Sequence, residues 1–243
     1  MSEPVTRPYT LLSCALSIDG YLDDGSGERL LLSNADDLAR VDAVRAESDA
    51  ILVGAATVRV DDPRLLVRSP ELRAARLARG ACESPVKVTL TRRGDLDPEA
   101  RFFSTGTGDK LVYCPSVVAG RLRRRLGTGA TVVAAGHRVG LPDVLQDLHD
   151  RGVRRLMVEG GANVLTQFLT GDLADELQLV VAPFFVGDPR ASRFVGSGRF
   201  PFHPDRRATL AEVRPIGDVV LLRYALSSRF TESCAQSGVM TPH

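Results

Sequence analysis

The 243-residue chain has no tryptophan, four histidines, four cysteines, two lysines and no long apolar run. Each shortage excludes something. The longest apolar stretch, Leu179 to Val186, is eight residues long and contains Pro183, far short of the roughly 20 residues that cross a bilayer. The opening Met1-Ser2-Glu3-Pro4-Val5-Thr6-Arg7-Pro8 lacks the apolar core of a secretory signal, so a cytoplasmic protein with no membrane partner is expected. Cys14, Cys82, Cys114 and Cys234 show no C-x-x-C spacing, and His137, His149, His203 and His243 are scattered. The thiols therefore read as reduced, and no metal site is expected. Asp23-Asp24-Gly25-Ser26-Gly27 lacks the later glutamate of a calcium loop. An excess of positive charge is missing too, with 31 Lys plus Arg against 30 Asp plus Glu. General nucleic-acid binding is therefore not expected. Only Lys87 and Lys110 are lysine, so arginine is common and no single arginine is strong support for an anion site.

Motifs are missing as well. No G-x-G-x-x-G follows the first strand and no G-x-x-x-x-G-K-[ST] occurs, which removes the dinucleotide fingerprint and the P-loop. No Ser-His-Asp or Cys-His grouping has a recognisable context, so covalent catalysis is disfavoured.

What is present is ordinary globular composition, 44% apolar and 25% charged, arranged as alternating strands and helices. Strands are expected at Tyr9 to Ser17, Ala50 to Val53, Val86 to Leu90, Lys110 to Cys114, Thr131 to Ala134, Arg155 to Val158 and Glu176 to Ala182. Helices are expected at Ala35 to Glu47 with Asn34 as cap, at Glu71 to Arg79, after Ser116 as cap to near Gly127, from Pro142 to Gly152 and at Asn163 to Leu169. Ala208 to Val213 and Val219 to Leu226 face each other across Pro215-Ile216-Gly217-Asp218, which is hairpin chemistry. The expectation is one α/β domain over residues 8–226, its sheet mostly parallel with an antiparallel C-terminal strand. Residues 1–7 and 228–243 read as flexible termini.

In such sheets ligands gather at the carboxyl ends of the strands. Gly54-Ala55-Ala56-Thr57 follows one strand and Glu159-Gly160-Gly161-Ala162-Asn163 another. Small residues there let a ligand approach backbone N–H groups, although glycine after a strand is also common turn punctuation. Asp61-Asp62-Pro63 reads as a helix cap or a polar-ligand contact, with the cap favoured.

Taken in order, these pieces resemble a known family. The carrying segments are Pro8 to Gly20 (PYTLLSCALSIDG), Val44-Arg45-Ala46 with Ser48 to Gly54, Thr57-Val58, Asp61 to Arg68, Val158-Glu159-Gly160-Gly161, and Leu173 to Pro183. They are similar to the pyrimidine reductase of riboflavin biosynthesis, the reductase half of the bifunctional deaminase/reductase, here standing alone. The resemblance implies a dihydrofolate-reductase-like three-layer fold, a homodimer and NADPH. It implies reduction of the ribosyl group of a ribosylaminopyrimidine 5′-phosphate to ribityl. Ala15, Thr57, Asp61, Gly160, Gly161, Ala162, Asn163 and Val164 fall where the family holds the coenzyme. Arg92, or its neighbour Arg93, is the candidate for the 2′-phosphate. Arg45, Leu65, Arg68 and Glu159 fall where it holds substrate, with Arg45 and Arg68 as a guanidinium clamp on the 5′-phosphate. Asp61 and Glu159 are the candidate catalytic carboxyls. Ser13, Arg29 and Leu31 depart from the family's usual lysine, serine and tryptophan, so the pocket is expected to be retuned. A dihydrofolate- or pterin-type reductase and a non-catalytic NADPH-binding protein are the alternatives.

Overall fold

The computed structural model describes residues 6–27 and 30–231. Its strands are β1 (Tyr9–Ser17), β2 (Ala50–Gly54), β3 (Val86–Leu90), β4 (Lys110–Cys114), β5 (Thr131–Ala134), β6 (Arg155–Gly160), β7 (Glu176–Ala182), β8 (Thr209–Ile216) and β9 (Val219–Ala225). Its helices are α1 (Ala35–Glu47), α2 (Ala55–Val60), α3 (Pro70–Ala78), α4 (Arg101–Ser104), α5 (Ser116–Leu126), α6 (Leu141–Asp150) and α7 (Ala162–Thr170). The chain divides into two compact units, one built on Ala39–Gly161 and the other on Tyr9–Leu38 with the chain from Ala162 onward. The boundary passes through α1.

The first unit is an α/β layer with strand order β5-β4-β3-β2-β6, every pair parallel. Its inner strand β2, Ala-Ile-Leu-Val-Gly, is buried at every position. That is the mark of a parallel strand covered on both faces and explains the unbroken apolar run. α3 starts where Ser69 accepts the N–H of Leu72, with Pro70 in the first turn, and so begins one residue before the expected position. α6 turns Leu141, Val144, Leu145 and Leu148 inward, at the helical spacing seen in the sequence. α2 and α4 were not foreseen. With six and four residues, they are too short to show a helical period.

The second unit has strand order β1-β7-β9-β8. β1 and β7 are parallel, while β9 is antiparallel to both of its neighbours. The expected reversed C-terminal strand is therefore β9, and β8 completes the hairpin. Asn34 is the expected cap: its Oδ1 accepts the N–H of Asp37 at 3.0 Å, while its amide donates to Ile216 O and Asp218 Oδ1.

The end of this unit corrects one expectation. Buried Asp175 accepts from Ser227 Oγ at 2.6 Å and from Arg229 Nη1 at 3.1 Å, and Phe230 is buried. A buried carboxylate needs donors, and residues just past the expected boundary at 226 supply them. The chain is thus held through Phe230. The rest of the expected C-terminal tail from 232, and residues 1–5, lie outside the described residues.

Lys87 of β3 is an internal cation. It is 2% exposed and donates from Nζ to Phe102 O at 3.0 Å and Thr105 O at 2.7 Å, fastening the end of α4. Burial, with a smaller contribution from the charge of Lys110, lowers its pKa from 10.5 to about 8. Above pH 8 the folded state has released this proton while the unfolded chain keeps it up to its ordinary value. Stability from this group therefore rises with pH across that window, by about 1 kcal/mol between pH 7 and 9. Urea midpoints of the wild type and Lys87→Met over that range check it. The difference between the two proteins should change with pH, and a constant difference refutes the assignment.

Candidate active site

Three neighbouring strands of the first unit end together. β2 stops at Gly54, which pairs with Leu90 at the end of β3. On its other side the register with β6 slips: Leu52 faces Val158, and Val53 faces Gly160. Glu159 is the extra residue, so it sits on a β-bulge, a device that re-aims a side chain. The two residues that follow need backbone conformations L side chains rarely adopt, with φ +140° at Gly160 and +89° at Gly161. A Cβ on Gly161 would lie 3.1 Å from Thr57 Oγ1 and 3.9 Å from the Gly54 backbone, whereas a Cβ on buried Gly160 would meet nothing within 4 Å. The bulge thus lays bare main chain against the β2–α2 turn, with open space beside it. This is the form a backbone cradle for a dinucleotide takes, and the residues fit that group.

The bulge sends Glu159 to Arg45, in the last turn of α1. Arg45 Nε meets Oε1 and Nη2 meets Oε2, each at 2.5 Å, and Nη1 donates to Leu66 O at 3.2 Å. The side chains are 15% and 13% exposed. Burial works against the Arg45 charge, but the Glu159 carboxylate outweighs it and the guanidinium pKa is raised. Three of the five guanidinium N–H bonds are therefore engaged.

The loop after α2 completes this surface. Asp62 and Leu65 hold positive φ, 41° and 49°, and Leu65 is buried. Such conformations in non-glycine residues persist only where surroundings enforce them. Here Asp62 accepts from Arg101 N at 2.6 Å and Arg101 Nε at 2.8 Å, and Asp42 accepts from Arg68 N and Ser69 N. The Arg68 guanidinium is half exposed, with Nε 3.8 Å from Asp42 Oδ1.

The structure thus brings Glu159, Arg45, Leu65 and the loop carrying Arg68 together, and separately Thr57, Gly54 and Gly161. It alters one expected role. Arg45, expected as half of a phosphate clamp, already meets Glu159 through Nε and Nη2, which leaves two guanidinium N–H bonds for a ligand. Both Glu159 oxygens are likewise taken as acceptors, which suits orientation rather than proton delivery. Asp61 is exposed, and its main-chain N–H bonds Thr57 O at 2.9 Å at the C-terminal end of α2, a bond that does not use the carboxylate. Arg92 is exposed in the turn after β3. Asp42 and the Leu66 carbonyl were missed, since an acid within a helix and a main-chain oxygen carry no sequence signal.

The remaining expected contacts belong to the second unit. Ala15 is half-buried in β1, packed against the cluster of Leu32, Val180, Ala182, Val219 and Leu221. In α7, Ala162 is half-buried and Asn163 exposed, while Val164 is buried and turned to the core. Ser13 is buried opposite Gln178 and Leu31 is exposed; Arg29 lies outside the described residues. Burial pushes the Cys14 thiol up to about 12, so it offers no thiolate.

Comparison with known proteins bears on the family and the fold. The family model for the RibD C-terminal domain matches residues 8–222. A 2,5-diamino-6-ribosylamino-4(3H)-pyrimidinone 5′-phosphate reductase from Archaeoglobus fulgidus is 37% identical over 181 residues, covering 74% of this chain and 83% of its own. The reductase of the same description from Methanothermobacter thermautotrophicus is 32% identical over 221 residues, covering 90% and 99%. The crystal structure of a pyrimidine reductase-like protein from Corynebacterium diphtheriae matches with a TM-score of 0.76 at 23% identity, covering 90% of this chain and 91% of that one. At that identity it carries the fold alone, and the fold is the dihydrofolate-reductase-like α/β class expected from the sequence. The chain therefore belongs to the RibD C-terminal domain family.

Proposed function

We propose that this chain is an NADPH-dependent oxidoreductase. Its substrate is a (di)amino-ribosylaminopyrimidine 5′-phosphate, whose ribosyl group becomes ribityl in riboflavin biosynthesis or a related pathway. The observation that carries the reading is the single bulged strand end that both delivers Glu159 to Arg45 and leaves Gly160–Gly161 bare beside Thr57. Two kinds of ligand surface, one charged and oriented, one purely backbone, meet there, as hydride transfer between a coenzyme and a small polar substrate requires.

The chain's residues divide the work. When bound, NADPH supplies the hydride that reaches C1′ of the sugar. Gly160, Gly161 and Thr57, with Ala15, Asp61 and the start of α7 at Ala162, Asn163 and Val164, hold it, and Arg92 faces its 2′-phosphate. Val164 contributes main chain only. Arg68 takes the substrate phosphate. Arg45 acts through its remaining N–H bonds while keeping Glu159 aimed at the sugar or pyrimidine, and Leu65 packs against the ring. Asp61, the exposed carboxyl of the set, is assigned the proton. The reductase domain, held through Phe230, works as a homodimer in the cytoplasm. The thiols of Cys14, Cys82 and Cys114 are free, which suits a reducing compartment. No helix of the described residues is long and apolar enough to cross a membrane.

The test is coenzyme oxidation with the phosphorylated ribosylaminopyrimidine, before and after deamination, with the product identified by mass as two hydrogens heavier. Removing the substrate phosphate should raise KM by about tenfold or more, as loss of a charge-assisted contact does. Turnover of dihydrofolate instead would replace this reading with the pterin one. Thermal stabilisation by NADPH with no substrate consumed would make the protein a binder.

A further inference from the structure

The turn after β3 carries an unexplained concentration of charge. Thr91 Oγ1 accepts the N–H of Gly94 at 3.0 Å, which closes the turn and displays Arg92 and Arg93, both exposed. Gly94 is buried against α5, where a Cβ on it would lie 3.5 Å from Val118 and 3.8 Å from Arg121 Nη2. Arg121, also exposed, reaches across from α5 and donates from Nη2 to Arg93 O at 2.7 Å.

Three arginines from two elements therefore belong to one tight turn. Among the described residues none of the three is in an ion pair, although Arg45, Arg101, Arg151, Arg206 and Arg223 all are. α5 itself, Ser-Val-Val-Ala-Gly-Arg-Leu-Arg-Arg-Arg-Leu, contains no acid. In a chain with 30 carboxylates to draw on, like charges gathered without a partner are costly to keep. Planar guanidinium forks suit a phosphate monoester. The position fits as well. Leu90, the residue before this turn, pairs with Gly54, and Gly54 lies 3.9 Å from the Cβ position of Gly161. The basic turn is thus on the same strand ends as the glycine cradle, about two strand spacings of roughly 5 Å from β6.

We propose that Arg121 is a specificity-determining residue of the coenzyme site, closing with Arg92 and Arg93 on the 2′-phosphate that distinguishes NADPH from NADH. Its bond to the Arg93 carbonyl fixes its reach and leaves four N–H bonds for the ligand. This inference rests on the NADPH reading above. The pyrimidine's 5′-phosphate has the same chemistry, so the test separates the two sources.

Arg121→Ala, Arg121→Lys and the Arg92→Ala/Arg93→Ala pair are compared with wild type, after thermal melts show that each folds. Calorimetry measures 2′,5′-ADP and 5′-AMP, and steady-state rates are taken with NADPH and NADH. Arg121→Ala should raise KM for NADPH by about tenfold or more, with kcat and the KM for NADH unchanged. It should weaken 2′,5′-ADP but not 5′-AMP, and lysine should restore part of the loss. An unchanged NADPH to NADH preference overturns the inference, as does a loss confined to the KM of the pyrimidine. If the wild type oxidises neither coenzyme, the reductase reading fails on its own. The 2′,5′-ADP comparison then still decides: weakened binding in Arg121→Ala supports the phosphate site, and unchanged or absent binding overturns it.

Discussion

Glu159→Gln is expected to lower stability by about 3 kcal/mol and to reduce pyrimidine turnover to background. The stability effect follows from what is left behind. Arg45 would remain with its guanidinium 15% exposed and without the carboxylate that now receives it at two points. Breaking a buried pair from one side typically costs 3–5 kcal/mol, and the partial exposure of both groups places this site at the low end. The effect on turnover has a separate origin, since the bulge exists to aim a charged acceptor and glutamine carries no charge. Replacing both partners with apolar residues of similar size, Arg45→Met with Glu159→Leu, separates the two effects. That variant should recover most of the lost stability, because no charge is left unpaired, and should still be inactive. Urea midpoints and steady-state rates on the three proteins decide the matter. A Glu159→Gln enzyme with wild-type KM and kcat would remove Glu159 from the site.

Gly161→Ala carries the second large effect. The backbone there holds φ +89°, which costs an alanine about 1 kcal/mol or more. Its methyl group would also stand 3.1 Å from Thr57 Oγ1, so the β2–α2 turn has to yield. Stability should fall by about 1–2 kcal/mol. The KM for NADPH should rise by about tenfold to a hundredfold while the KM for the pyrimidine moves little. Gly160→Ala makes the complementary test: its φ of +140° is also one that L side chains rarely adopt, but its Cβ would meet no protein atom within 4 Å and would stand in the space offered to the coenzyme. Thr57→Ala combined with Gly161→Ala should return part of the stability by making room. Equal losses of affinity for both substrates would mean that the substitution disturbs the whole strand end and not a coenzyme cradle.

Much of the architecture could be read locally. Unbroken apolar runs such as Ala50–Gly54, the inward spacing of Leu141, Val144, Leu145 and Leu148, and the cap at Asn34 each depend on residues within about four positions of one another. The glycines at 160 and 161 were visible as a turn for the same reason. The site was legible only as a set of positions.

Its working geometry was decided by tertiary structure. The slip in register that puts Glu159 on a bulge exists only because β6 has β2 as its partner. The fork between Arg45 and Glu159 joins residues 114 apart, and it makes this candidate phosphate ligand an ion-pair partner as well. Leu65 keeps its φ of 49° because Asp42 and Arg101 anchor the loop on either side of it. Arg121 reaches the turn after β3 only because α5 packs against Gly94. Local propensity is written in neighbouring residues, whereas a charge pair, a bulge or a strained loop is stabilised by groups that chain folding alone brings into contact. The sequence by itself therefore determined most of the elements, the family and the candidate positions, and only the tertiary structure decided which of those side chains are paired and which are left exposed.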